Sequence, residues 1–343
     1  MAMTLDGSNG VTFNDASLQG AAASPFGLKN RIINGDMRID QRNAGASVAT
    51  TTANAGVYTL DRWFYYASQT SKYTVQQNAA AVTPPAGFTN YLGVTIAGST
   101  YTPTTAEEFG ISQVIEGFNI SDLGWGTANA QTVTLSFWVR SSVTGTFGGS
   151  LRQGSGTRSY PFTYTISSAN TWEKKSISIT GETTGTWNST NGSGIILGFQ
   201  IGAGATASGT PFVWASANTV GATGALNLMA TANATLYITG VQLEVGTTAT
   251  PFERRLYNHE LANCQRYYQK TVDIAFRIQS QAGTGSRIPS FFKVTMRATP
   301  TVVLSGSGMS NTSTYGISPD QFSINNTDVN PDIYMTYTAT SEL

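Results

Sequence analysis

The chain has 343 residues, 19 basic and 19 acidic side chains and a formal net charge of zero, with only 11% of residues charged. A balance this sparse leaves no electrostatic footprint for nucleic acid or for an anionic membrane surface. The single cysteine, Cys264, excludes an intrachain disulfide, and the single histidine, His259, excludes a multi-histidine metal site.

Residues 1–28 read as short alternating pieces such as Met3-Thr-Leu-Asp-Gly and Gly10-Val-Thr-Phe-Asn, an arm that cannot bury a face without a partner. They contain no basic start followed by an apolar run, and nowhere do 18 apolar residues follow one another. The expectation is a protein made in a reducing cytoplasm, neither conventionally secreted nor inserted in a membrane.

From residue 29 to 253 many short strand candidates are separated by Gly, Asn, Ser and Pro clusters, among them Thr132-Val-Thr-Leu-Ser-Phe-Trp-Val-Arg140, Gly194-Ile-Ile-Leu-Gly-Phe-Gln-Ile201 and Thr235-Leu-Tyr-Ile-Thr-Gly-Val-Gln-Leu-Glu244. Val133, Leu135, Phe137 and Val139 alternate with Thr134, Ser136 and Trp138, giving one apolar face and one mixed face. Repetition of such strands without βαβ alternation predicts a two-sheet sandwich or jelly roll.

Residues 254–270 predict the one helix, with Tyr257, Leu261, Cys264 and Tyr268 along one face. That stripe either packs on the sandwich or forms the seam of a short helical bundle. Strand patterns resume over 271–343, for instance Thr301-Val-Val-Leu and Asp332-Ile-Tyr-Met-Thr-Tyr, and predict a small all-β tip whose thin core calls for association. The whole is expected to be mainly β: a jelly-roll β-sandwich with an N-terminal β arm, one connecting α-helix and a small C-terminal all-β domain.

Four stretches, Leu28-Lys-Asn-Arg-Ile-Ile-Asn-Gly-Asp-Met37, Tyr58-Thr-Leu-Asp-Arg-Trp-Phe64, Leu135-Ser-Phe-Trp-Val-Arg140 and Tyr237-Ile-Thr-Gly-Val-Gln-Leu-Glu-Val-Gly246, resemble the first strand, an early motif, a central strand and the last strand of jelly-roll carbohydrate-binding modules. The segment Thr250-Pro-Phe-Glu-Arg-Arg-Leu-Tyr-Asn-His-Glu-Leu-Ala-Asn-Cys-Gln-Arg-Tyr-Tyr-Gln-Lys270 is similar to one recurring in bacteriophage tail-fibre and other virion-associated proteins, and Thr4-Leu-Asp-Gly-Ser-Asn-Gly-Val-Thr-Phe13 to the β arms that begin many of them. These resemblances imply a homotrimeric tail fibre or spike of a virion. Its arm would attach to other tail or virion proteins, its jelly roll would form the body, its helix would supply the oligomer seam, and its distal β domain would meet the host, whose surface polysaccharide is the ligand. A head fibre, decoration protein or tail adaptor without receptor binding is the alternative, and a polysaccharide depolymerase the enzymatic rival.

A carbohydrate site needs flat aromatic faces and short polar side chains. Trp63 and Trp138 fall in strand patterns and are assigned to the core, whereas Trp125 and Trp187 sit in glycine-rich surroundings and are the loop candidates, with Tyr160 and Arg158 beside them. In the tip, Tyr315 and Phe322 either touch a receptor or fill the core. Modules of this type often hold a structural calcium between first and last strands, at positions matching Asp36 and Glu244, and no other cofactor is expected; the alternative makes Asp36 a turn cap and Glu244 an ion-pair partner. The acids open to a glycosidase reading are Glu107, Glu108 and Glu116, but adjacent residues of a strand point to opposite faces, and the chain is not expected to be an enzyme.

Overall fold

The computed structural model describes residues 29–51, 53, 56–271, 286–327 and 332–343, together with the strand backbones at 4–6, 10–12, 18–19 and 274–277. Three short strands, β1 (Thr4–Asp6), β2 (Gly10–Thr12) and β3 (Leu18–Gln19), pair antiparallel as a small sheet. The rest of the expected arm, including its attachment role, lies outside the described residues.

The sandwich strands are β4 (Val48–Ala49), β5 (Val57–Leu60), β6 (Trp63–Ala67), β7 (Tyr73–Gln77), β8 (Leu92–Ile96), β9 (Glu108–Glu116), β10 (Val133–Ser141), β11 (Gly145–Gln153), β12 (Ser159–Ile166), β13 (Glu173–Ile179), β14 (Ser193–Ala203), β15 (Ser208–Gly209), β16 (Gly221–Ala222) and β17 (Thr235–Val245). Twelve of them build two six-stranded sheets, one in the order β13-β10-β17-β8-β7-β4 and the other β12-β11-β14-β9-β6-β5, while β15 and β16 form a separate parallel pair. All pairings within these two sheets are antiparallel, and the chain crosses repeatedly between them, with the hairpins β5-β6, β7-β8 and β11-β12 each kept within one sheet, which is a jelly-roll β-sandwich.

Period-two alternation sends Trp63, Tyr65, Phe109, Ile111, Phe137, Phe162, Leu197 and Phe199 into the space between the sheets, where all are buried. Phe137 is the hub, its ring 5.0 Å from those of both Tyr164 and Phe199 in edge-on contact. Each such side chain contributes about 1.5–3 kcal/mol of burial, so the sandwich core is the main source of stability. Trp138, expected in the core, is half-buried on the outer face instead, because its neighbours Phe137 and Val139 take the inward positions.

Residues 29–47 form no strand, contrary to the first-strand expectation for 28–37. Side chains hold the segment against the last strand. The Asn30 amide donates to Val241 O, while its Oδ1 accepts the N–H groups of Ile32 and Leu243. Gly35 packs so close to β17 that a Cβ there would lie 2.2 Å from Val241 O, and this contact is why glycine follows Asn34.

After Val245 the chain leads to α1 (Tyr257–Gln265), shorter than the 254–270 expectation because the backbone turns at Arg266 into β18 (Tyr268–Lys270). The remaining strands are β19 (Ile274–Arg277), β20 (Ser286–Phe291), β21 (Thr301–Ser307), β22 (Thr312–Tyr315), β23 (Gln321–Asn326) and β24 (Asp332–Thr340). Strand β24 is central, pairing with β18, β19 and β21, while β20, β23 and β22 form a second small sheet. Phe292, Met296, Phe322, Ile324, Met335 and Tyr337 make a separate small core, so Phe322 is interior, whereas Tyr315 is exposed beneath the Arg287 guanidinium. No helix among the described residues is long and apolar enough to cross a membrane.

The expected oligomer seam is corrected. Cys264 is fully buried against Ile33, Ile39 and Tyr267, Leu261 packs on the same cluster, and Tyr268 belongs to a strand and is buried, leaving Tyr257 alone exposed. The stripe packs on its own chain because the turn at Arg266 folds the helix back onto the 29–40 segment. Glu116 at the end of β9 fixes that turn, accepting from Arg266 Nη2 at 2.8 Å and from the Tyr267 hydroxyl at 2.5 Å.

Candidate functional site

Trp125, Trp187, Tyr160 and Arg158, distant in sequence, do meet in space, but not as exposed loop aromatics. Trp125 is only 6% exposed and Tyr160 5%. The indole rings of Trp125, Trp187 and Trp214 lie edge-on at centroid distances of 4.8, 5.5 and 5.7 Å, with Tyr160 5.2 Å from Trp214. Every indole N–H is used internally: Trp125 donates to Gln131 O, Trp187 to Thr184 O and Trp214 to Thr180 O. Arg158 donates to Glu182 and to the Ser216 hydroxyl, both at 2.8 Å. Burial raises the Glu182 carboxyl, but the bonds from Arg158 and Thr184 outweigh it and hold it below the usual carboxylate range. The group is a knot tying loops at one end of the sandwich, since aromatic rings gain more from edge-on packing than from standing in water. Sequence reasoning missed Trp214, whose only signal was the apolar triplet Phe212-Val213-Trp214 in a polar loop.

Asp36 and Glu244 do not fit a calcium ion that wants six or more oxygens. Asp36 is ion-paired with Arg38 at 2.5 Å, and burial pushes its carboxyl up against that pull. The Glu244 carboxylate accepts from Thr250 N–H, the Thr250 hydroxyl and Gln242 at 2.6–2.8 Å, with Lys29 at 3.8 Å. Among the described residues no group of three or more Asp, Glu, His or Cys gathers where a metal would bind.

Nor do the acids pair. Glu107 precedes β9 and accepts from Tyr101, Gln69 and the Thr104 N–H; burial raises its carboxyl, yet these bonds hold it at about 2. Glu108 and Glu116 stand at opposite ends of β9, roughly 27 Å apart at strand rise, far beyond glycosidase carboxylate spacings of about 5–9.5 Å.

A different site emerges on the outer face of the second sheet. One cross-strand row there runs Pro161, Ser150, Gly198, Ser112, Phe64. Its neighbour runs Gly148, Gln200, Gly110, Tyr66. Small residues at the centre make a trough: a Cβ on Gly110 would lie 2.2 Å from the Tyr66 hydroxyl, so glycine is what lets that ring lie across the sheet. Residues 204–224 fold back over the trough, with Ala222 N–H donating to Gln200 Oε1 and the Ser150 hydroxyl to Val220 O, while Ala207 and Val220 pack on Tyr66.

What stays open is a pocket of about 230 Å³ lined by Gly56, Phe64, Tyr66, Ala67, Glu108, Arg152 and Ile196. Arg152 Nη1 donates to Asn218 at 3.0 Å, and its guanidinium stands 6.0 Å from the Tyr66 ring. The Tyr66 hydroxyl leans on that of Ser112 beneath the pocket wall. The pocket joins two aromatic side chains, Phe64 and Tyr66, to the Arg152 guanidinium and the Glu108 carboxylate, a mix of apolar and polar groups that suits a small polar ligand.

A larger groove of about 710 Å³ lies between α1 and the sandwich, with Phe118 and Leu256 exposed in it. Arg31 pairs there with Asp122 and Arg255 with Glu260, while Arg254 lies over the Phe88 ring at 4.7 Å.

No protein-family model matches the chain, and no curated protein matches it. Solved structures similar to it include a family 4 carbohydrate-binding module, 16% identical over 62% of this chain and 98% of that one, with a TM-score of 0.32. A putative sugar-binding protein from Bacteroides thetaiotaomicron is 11% identical over 64% of this chain and all of that one, with a TM-score of 0.37. The enzymatically active domain of tailspike protein 4 from bacteriophage CBA120 is 13% identical over 64% of this chain and 22% of that one, with a TM-score of 0.32.

Proposed function

We propose that the chain is a non-catalytic, glycan-binding structural subunit of a bacteriophage particle, a homotrimeric tail fibre or spike whose sandwich meets host surface polysaccharide. The observation carrying the binding role is the pocket on the second sheet, where Phe64 and Tyr66 stand with Arg152 and Glu108. Aromatic surface suits the C–H face of a sugar, and a guanidinium and a carboxylate suit its hydroxyls. At about 230 Å³ the pocket is smaller than a drug-sized site and takes one ring of a chain. Glu108 has no second carboxylate beside it in the pocket, which favours binding over hydrolysis. The virion role is supported by the resemblance of residues 250–270 and of the arm, and weak single sites suit a multivalent particle.

The test is binding of the full-length protein to a glycan array and to host cells. Wild type should bind, and Phe64→Ala and Arg152→Ala, checked by circular dichroism to remain folded at the assay temperature, should each lose about tenfold or more in affinity, the size of one lost aromatic or charge-assisted contact. Failure of wild type to bind any glycan would remove the receptor role and leave the head-fibre, decoration or adaptor alternative, which imaging of the intact particle would locate. A monomer in sedimentation across micromolar concentrations would remove the trimer.

A further inference from the structure

We propose that the loop 209–220 carries a second contact for the same ligand, an exposed ledge of Phe212 and Val213 that a neutral glycan chain of several rings reaches after leaving the pocket; this rests on the glycan-binding reading above. Phe212 and Val213 are 50% and 54% exposed, side by side on a loop that touches two pocket residues, with Asn218 accepting from Arg152 and Val220 packing on Tyr66. Phe212 is held at φ 67°, a left-handed conformation that is unfavourable for a bulky aromatic.

The surroundings over-determine that strain. Phe212 N–H donates to Pro161 O at 2.8 Å, and Ala215 and Ser159 exchange backbone bonds at 3.0 and 3.1 Å. Arg158 holds Ser216, Arg152 holds Asn218, and Trp214 is locked into the aromatic knot. A fold that fixes an aromatic in a strained conformation and then leaves half of it in water gains nothing from its burial. What it gains is a preorganised apolar surface.

Geometry and charge say what that surface suits. Pro161, on which the Phe212 backbone rests, belongs to the same cross-strand row as Phe64, four inter-strand spacings away, or roughly 19 Å. A single sugar ring cannot bridge that distance, and a chain can. Between the two ends run Ser216, Ala217 and Asn218, all exposed, and residues 204–224 contain no charged side chain. Arg158, at the foot of the loop, is already paired with Glu182. The ledge is therefore complementary to neutral sugars and not to an acidic polymer.

The experiment measures affinity for short and long members, disaccharide and octasaccharide, of neutral glucan, xylan and galactan series. Phe212→Gly is the informative variant, because glycine adopts positive φ without strain and only half of the lost ring was buried, so the melting temperature should stay close to that of wild type. The long chain should bind wild type about tenfold tighter than the short one, the size of one aromatic contact. Phe212→Gly should abolish that gain and leave short-chain affinity unchanged, while Phe64→Ala weakens both. Equal affinity for long and short chains in wild type, or full long-chain affinity in Phe212→Gly, would overturn the ledge while leaving the pocket intact. Loss of oligomer in Phe212→Gly would instead assign the ledge to a contact between copies and also overturn it. No binding by wild type at either length would remove the underlying glycan reading itself.

Discussion

Asp61 sits fully buried in the turn between β5 and β6, where the Gln41 backbone N–H and side-chain amide donate to its two oxygens. Burial pushes its carboxyl up to about 6, against the lowering effect of those bonds. A carboxyl raised in the folded state keeps its proton after the unfolded chain has lost it. Stability from this group is therefore full below the unfolded value near 4 and falls as pH rises to about 6, a change of about 2–3 kcal/mol. Denaturant unfolding of wild type and Asp61→Asn at pH 4 and pH 7 isolates it: the difference between the two proteins should shift by about that amount, and an unchanged difference would show that the site does not titrate in this range. The Asp61-Arg62-Trp63 run could be singled out in the sequence by resemblance alone. What it does there, with Trp63 donating to Asn34 O and Arg62 to Val114 O, is a matter of long-range contacts that spacing does not encode.

Among the elements, the long strands were legible because inward Val133, Leu135, Phe137 and Val139 obey a strict alternation, and the sandwich follows once enough strands do. The 29–47 segment was not, because its backbone is held by Asn30 and Asn34 side chains in place of a ladder. The trough was also invisible, since Gly110, Ser112 and Gly198 become a site only when β9 and β14 lie side by side. Helix α1 shows a third limit: an apolar stripe fixes which face is covered and not by what. Cys264 supplies the check. Burial pushes its thiol well above the usual range, and the side chain packs against Ile33, Ile39 and Tyr267. Cys264→Ser should therefore lower stability by about 1–3 kcal/mol without changing the sedimentation of the assembled protein. Dissociation of the oligomer at unchanged monomer stability would restore the helix as a seam.

At the scale of the whole molecule, the small C-terminal core is too thin to stand alone, and the structure shows how the sandwich supports it. Just past β24, Glu342 inserts between Arg42, at 2.7 Å, and the buried Arg62, whose guanidinium also covers the Tyr267 ring at 3.5 Å. Arg297 braces the same strand end, donating to Ser341 O and Glu342 O and reaching Asn191 O on the sandwich. A buried ion pair is costly to assemble, but removing one member is costlier, because the other charge is left without compensation. Glu342→Gln strands Arg62 and should cost about 3–5 kcal/mol, among the largest effects of any single substitution outside the sandwich core. Its signature should be regional as well as large. Wild type should melt in one calorimetric transition, whereas the variant should lose the C-terminal sheets in an earlier step and keep the sandwich transition near its original temperature. If the variant instead melts in a single transition shifted as a whole, the two cores are coupled mainly through Glu116, Arg266 and Tyr267, and the Arg62 pair is secondary.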